Sequence, residues 1–254
     1  MPGMKASTSP RSMRAHYLPV ADGAMLYADG LSAAPDPGWF DPAWWPAGAA
    51  VASAPAGRGQ VHYLDSGGDE WVLRGYRRGG LARHLSERHY LWTGEARTRP
   101  FSEWRLLAEL HAAGLPVPFP VAALYRRHGP LLYTAALITR RLPVRATLRE
   151  LCGAEQVPSW VWPAVGQLLR RLHDHGVFHA DLNGGNLLVG EDRVWVVDFD
   201  QGRRRAAGAW RQRNLARLYR SLRKTARAGG RDGPDPAAWQ ALLSGYERTG
   251  PFRP

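Results

Sequence analysis

Apolar positions along this chain recur first with the two-residue period of half-buried strands and later with the three-to-four-residue period of helices. Residues 1–35 mix Ser, Pro, Gly, Ala and Arg without a sustained period; they read as an extension, partly disordered, in which only Met25-Leu26-Tyr27 forms a short strand. Trp39-Phe40-Asp41-Pro42-Ala43-Trp44-Trp45 predicts a turn and a short amphipathic helix, with Asp41 as N-cap and Pro42 at the first helical position. Ala52-Ser53 and Val61-His62-Tyr63-Leu64 are β-like and flank Gly57-Arg58-Gly59. The run from Trp71 to Tyr76 is a further strand, in which Val72 and Arg74 face the same side. Phe101, Trp104, Leu107 and Leu110 predict a helix ended by Gly114 and Pro116, with Glu103 in its first turn. An extended connector, Leu115 to Pro120, leads into strands over Val121 to Tyr125 and Leu131 to Ile138. A helix then begins near Ala146, and a longer one covers Trp160 to His173 with the stripe Val165, Leu168, Leu169 and Leu172. Val194-Trp195-Val196-Val197 is a short strand, Trp210, Leu215, Leu218 and Leu222 share one face of a helix, and a last short helix lies around Trp239 to Tyr246.

Composition narrows the classes open to such a chain. Its 254 residues suffice for one domain or two small lobes, and the single Cys152 excludes an intramolecular disulfide framework and fits a reducing compartment. Residues 1–14 lack the apolar core of a secretory signal, and no apolar run approaches the ~18 residues of a spanning helix. A cytoplasmic protein, or one lying on the inner face of a membrane, is expected. The formal charge of +12 calls for an anionic partner. Much of it lies between Gln201 and Arg231, which contain eleven Arg/Lys residues and no acid. Arg211, Arg213, Arg217, Arg220, Arg223, Lys224 and Arg227 crowd the faces away from the leucine stripe. This basic helix reads either as a contact for an anionic membrane or phosphorylated acceptor, or as a core-docked helix with solvated charges, and the two are compatible.

The chemistry concentrates in His179-Ala180-Asp181-Leu182-Asn183-Gly184-Gly185-Asn186, which resembles the H-x-D-L-x-x-x-N catalytic loop of kinase-like phosphotransferases. The strand after it delivers Asp198-Phe199-Asp200 where kinases keep Asp-Phe-Gly. Phosphoryl transfer asks the protein mainly to position groups and neutralise charge. The likeness therefore casts Asp181 as acceptor of the attacking hydroxyl's proton, and Asn186 and Asp198 as hard oxygen ligands of Mg²⁺ beside ATP. It gives Val72 the contact with the base and Arg74 the phosphates, in place of the usual strand Lys; the alternative is a surface cation on an exposed strand face. Glu103 would pair with Arg74, or simply favour the helix dipole. Gly57 and Gly59 fall where a Gly-rich hairpin would cover the phosphates, though an ordinary turn reads equally well. Thr139 to Pro143 is the place of the hinge between lobes. No G-x-x-x-x-G-K-[ST] and no A-P-E occur, which speaks against a P-loop ATPase and a protein-substrate kinase. His173, His175 and His179 have helix-end positions, and no zinc site is expected of them.

Further blocks narrow the resemblance: Arg74-Gly75-Tyr76-Arg77-Arg78-Gly79-Gly80-Leu81, Tyr90-Leu91-Trp92-Thr93-Gly94 and Glu103-Trp104-Arg105-Leu106-Leu107. With the loop and Asp198-Phe199-Asp200 they make the chain, over about residues 35 to 230, similar to the 3-deoxy-D-manno-octulosonic acid (Kdo) kinases. The resemblance implies an α+β, two-lobed fold, with a β-rich N-lobe over 36–141 and a mainly helical C-lobe over 142–254. It also implies transfer of the ATP γ-phosphate to the 4-hydroxyl of Kdo on a lipid A precursor, by a peripheral enzyme on the cytoplasmic side of the inner membrane. Another small-molecule or heptose kinase is the alternative. A basic nucleic-acid-binding module with a decayed kinase site is a third; the intact Asp181, Asn186 and Asp198 and the lack of a nucleic-acid motif weigh against it, and no nucleic acid is expected as a partner.

Overall fold

The computed structural model describes residues 13–52, 61–76 and 89–248. Its first half is an antiparallel sheet built from β1 (Ala15–Val20), β2 (Gly23–Ala28), β3 (Ala50–Ala52), β4 (Val61–Asp65), β5 (Glu70–Gly75), β6 (Tyr90–Leu91), β7 (Pro120–His128) and β8 (Leu132–Arg140). The spatial order is β1-β2-β7-β8-β5-β4-β3, with β6 also paired to β8. The sequence reading leaves residues 1–35 outside the folded lobe; within the described part of that stretch, residues 15–28 instead join the sheet. β1 and β2 form a hairpin, and β2 pairs with β7 so that Met25 lies opposite Leu124. The hairpin alternates weakly and carries Pro19, and its partner strand lies about a hundred positions on. Local patterning therefore registers little of it.

Alternation assigns the two faces of this sheet to two cores. Met25, Leu64, Trp71, Leu73, Leu124 and Ile138 point to one side, where Trp39 and Trp45 close over them. Trp39 and Trp71 meet edge to face at 4.9 Å between ring centroids, a geometry that suits the ring quadrupoles. The short helix expected here is instead two 3-10 turns, Pro37–Phe40 and Pro42–Trp44, because each starts afresh from an Asp cap, Asp36 and Asp41, with a proline behind it. On the other side Leu26, Tyr125 and Leu137 pack with α1 (Arg99–Ala112), and this core continues into the helical lobe.

β8 ends at Arg140, and the elements that follow are mainly helical. Next come β9 (Ala146–Thr147), α2 (Leu148–Gly153), α3 (Val161–Asp174), β10 (Val177–Phe178), β11 (Leu187–Val189), β12 (Val194–Val196), β13 (Arg203–Arg204), α4 (Trp210–Ala228) and α5 (Pro236–Glu247). Thr147 and Glu150 form a reciprocal capping box that starts α2. The predicted stripe of α3 is buried, and α3 crosses α5 at Gly166 and Gly245, where a Cβ would run into the backbone carbonyls of Leu242 and Pro163. β11 and β12 pair antiparallel, Leu187 opposite Val196, which puts the end of the catalytic loop beside Asp198. No described helix is long and apolar enough to cross a membrane.

Candidate active site

Two groups of side chains face each other between the lobes. On the sheet side, Val72, Arg74 and Tyr76 share one face of β5 and its continuation. Arg74 Nη2 donates to both carboxylate oxygens of Glu103 at 2.6 Å, and its Nη1 donates to Asp198 Oδ1 at 2.7 Å. One planar guanidinium thus joins the strand, α1 and the Asp198-Phe199-Asp200 turn, a division of labour that a single ammonium nitrogen could not reproduce with the same geometry. The Tyr76 hydroxyl also donates to Glu103, and the Phe199 N–H donates to its Oε1 at 3.0 Å. Glu103 is expected in the first turn of its helix; α1 in fact begins at Arg99, with Pro100 next, so Glu103 stands in the second turn and is 3% exposed. The dipole reading therefore drops out and the ion pair remains. Burial pushes the Glu103 carboxyl up to about 7 against the pull of Arg74.

On the helical side the catalytic loop is held from within. His179 is fully buried, and its Nε2 lies 3.0 Å from the Val197 carbonyl. A carbonyl only accepts, so the ring proton is on Nε2; Nδ1 in turn accepts the Asp181 N–H at 3.2 Å. Burial holds His179 below the ordinary histidine range. Asn214 of α4, also buried, takes both backbone groups of His179: Oδ1 accepts its N–H at 3.2 Å and Nδ2 donates to its carbonyl at 2.8 Å. Asn186 Nδ2 and Asn183 Nδ2 each donate to the Asp181 carbonyl at 2.9 Å. This fixes the backbone under Asp181 and leaves its carboxylate half exposed toward the cleft, in contact with Arg217 of α4 at 2.7 Å.

The donors around Asp198 suit a hard divalent cation. Asn186 spends its Nδ2 on Asp181 and keeps its amide oxygen, and the pairing of β11 with β12 brings it next to Asp198. Asp198 adopts φ +66°, a left-handed conformation that Asp tolerates better than most residues. Asp200 adds a buried Oδ1 that has no hydrogen-bond partner among the described residues, while its Oδ2 accepts from Arg99 at 2.6 Å. Burial raises the Asp200 carboxyl, against Arg99 and Arg74. The set is two carboxylates and an amide; no described group of three or more His, Cys, Asp or Glu residues is arranged to hold a metal. The three histidines go separate ways. His173 joins Tyr246 and Asn214 in the core, where burial lowers it to about 4, and His175 contacts the Arg171 carbonyl.

Of the residues singled out by sequence, Arg74, Glu103 and Asp198 meet in one junction, Asn186 and Asp181 share the loop beside it and Val72 lies on the strand face of Arg74, while Gly57 and Gly59 lie outside the described residues, as do Arg77 to Leu81. Sequence reasoning gave no role to Tyr76, Asn214 or Arg149, and left the Arg217 charge to solvent, an anionic membrane or a phosphorylated acceptor without placing it on Asp181. Tyr76 was readable, being two positions beyond Arg74 on the same strand face. Asn214 and Arg217 had no local signal, since their partners lie 35 and 36 positions earlier.

The chain belongs to the lipopolysaccharide kinase (Kdo/WaaP) family, whose pattern matches residues 42–246. It is a phosphotransferase acting on a hydroxyl group, with the two-lobed kinase-like fold of that family. It is 43% identical over 189 residues to the 3-deoxy-D-manno-octulosonic acid kinase of Xylella fastidiosa (strain 9a5c), covering 74% of this chain and 75% of the relative. To the kinase of the same name from Xanthomonas campestris pv. campestris (strain B100) it is 43% identical over 206 residues, 80% of this chain and 81% of the relative. Among solved structures, WaaP in complex with acyl carrier protein superposes with a TM-score of 0.53 at 20% identity over 78% of each chain, a likeness of fold.

Proposed function

We propose that the protein transfers the γ-phosphate of ATP to the 4-hydroxyl of Kdo on a lipid A precursor, working at the cytoplasmic face of the inner membrane. The observation that carries the reading is the Arg74–Glu103–Asp198 junction facing an Asp181 carboxylate that stays open to the cleft. The Kdo kinase relatives supply the acceptor.

In this reading Val72 packs on the base and Arg74, braced by Glu103, presents its guanidinium to the phosphates. Asn186, Asp198 and the free oxygen of Asp200 would hold Mg²⁺, which when bound supplies positive charge against the nucleotide phosphates. Asp181 accepts the proton of the acceptor hydroxyl as that oxygen bonds to the γ-phosphorus. The bond from the γ-phosphorus to the β–γ bridging oxygen breaks, and ADP leaves with the electron pair. Because His179, Asn214 and Asn186 fix the loop, Asp181 needs little reorganisation to meet the hydroxyl.

The test is incubation of the purified protein with ATP, Mg²⁺ and a Kdo-bearing lipid A precursor, followed by mass spectrometry for one added phosphate and phosphorus–proton NMR to place it. Phosphate on O4 of Kdo is expected. Transfer to a heptose-bearing acceptor alone overturns the reading. Asp181→Asn should lower turnover by roughly 10²–10⁴-fold with ATP affinity retained, the usual worth of a positioned base.

A further inference from the structure

The acceptor side of the cleft carries two guanidiniums that the transfer step above does not use. Arg217 projects from α4 and donates from Nη2 to Asp181 Oδ1 at 2.7 Å. Arg149, in the first turn of α2, donates from Nη2 to Asn183 Oδ1 at 2.7 Å. Two helices from different parts of the chain thus place an Arg on the same short loop. The loop is shaped for this: a Cβ on Gly185 would stand 2.8 Å from Arg149 Cζ, and one on Gly184 would stand 3.1 Å from Leu222 Cδ2 of α4. Both guanidiniums are exposed rather than engaged in core packing, with the Arg217 side chain 46% accessible. Residues 179–186 contain no Lys or Arg of their own, and Arg74 is committed to Glu103 and Asp198. Among the described residues, Arg217 and Arg149 are the cations that hydrogen-bond to this loop.

The acceptor hydroxyl must come within hydrogen-bond reach of Asp181. A substituent of the same ring that points toward α4 then comes near Arg217, which already contacts Asp181 Oδ1 at 2.7 Å, and Arg149 stands two loop residues further on at Asn183. A sugar acid brings a carboxylate there, and Arg is the side chain whose planar fork matches a carboxylate. With five N–H donors, Arg217 can hold Asp181 Oδ1 and a second carboxylate together.

Building on the octulosonic-acid reading, we infer that Arg217 and Arg149 form the subsite for the carboxylate of the acceptor sugar. They select a sugar acid over a neutral sugar and set its hydroxyl against Asp181.

The experiment compares the Kdo-bearing acceptor with the same acceptor whose carboxyl has been reduced to the alcohol. Wild type, Arg217→Gln, Arg217→Lys and Arg149→Gln are assayed on both, with folding checked by thermal denaturation. On the carboxylate acceptor, each Gln variant should raise the acceptor KM by roughly 10- to 100-fold, the worth of a lost charge-assisted hydrogen bond, with the KM for ATP little changed. Arg217→Lys should restore part of the loss. On the reduced acceptor the wild type should already be weak and the variants no weaker, so that discrimination between the two acceptors disappears. Equal penalties on both acceptors, or a fall in kcat with the acceptor KM unchanged, overturn this inference alone and place Arg217 on Asp181 or on the transferring phosphoryl group. A wild type that phosphorylates neither acceptor overturns the Kdo reading and the subsite with it.

Discussion

Four hydrogen bonds converge on the Glu103 carboxylate: two from Arg74, one from the Tyr76 hydroxyl and one from the Phe199 N–H. All come from donors, so the ionised form is the one that holds Arg74 in place, while burial favours the neutral form and pushes the group up to about 7. Stability and activity then respond to pH with opposite signs. The folded value lies above the ordinary carboxyl value of 4.5, so the contribution of Glu103 to stability is full below that pH and is lost as pH rises through about 7. Activity gains over the same interval, because only the carboxylate orients the Arg74 fork. The kcat/KM for ATP should fall as pH drops below about 7, and Glu103→Gln should lower the rate while flattening that limb. A limb that survives in the variant assigns the titration to another group, Asp200 being the nearest candidate. This pair was legible in the sequence because a cation on a strand and an acid at the start of the next helix are separately recognisable. Its burial was not, since the apolar period places the helix start two residues late and leaves Glu103 looking terminal.

At the scale of elements, α4 is what orders the catalytic loop. Asn214, Arg217, Leu218, Ser221 and Leu222 follow the i, i+3, i+4, i+7, i+8 spacing of one helical face, and all face the loop or the core beneath it. Asn214→Leu keeps the volume but strips His179 N–H and C=O of their partner and leaves them buried. Unsatisfied groups of this kind cost about 1–3 kcal/mol each, so the variant should lose roughly 3 kcal/mol or more of stability in urea unfolding. A loss below about 1 kcal/mol would mean that the loop finds other partners. The sequence showed the leucines of this stripe plainly, because hydrophobic periodicity is a local signal. The polar members Asn214, Arg217 and Ser221 were invisible in it, because what they contact lies more than thirty residues upstream. The same physics hid the β1–β2 hairpin, whose place is set by β7.

For the whole molecule, the +12 charge becomes a directional feature once α4 is placed. At about 100° per residue, Arg213, Arg217, Arg220, Lys224 and Arg227 fall within roughly 80° of one another, opposite the buried Leu215, Leu218 and Leu222. Arg217 reaches Asp181, so this cationic stripe runs alongside the cleft. The other four are exposed, and none forms an ion pair with a described acid. We propose that they hold the enzyme on an anionic bilayer, which brings a lipid-borne sugar to Asp181 without threading it through the protein. Each cation near such a surface contributes about 1 kcal/mol and is screened within a Debye length. Replacing Arg213, Arg220, Lys224 and Arg227 with Gln should therefore reduce binding to phosphatidylglycerol-rich vesicles by on the order of 10²–10³-fold at low salt. Wild-type binding should itself weaken as salt rises. Arg217 stays in place, so the folded quadruple variant should keep its affinity for ATP and its selectivity for a soluble, delipidated acceptor, while turnover on vesicle-borne acceptor falls. Co-sedimentation with undiminished binding would mean that the bilayer contact lies on another face and that the stripe is merely solvated.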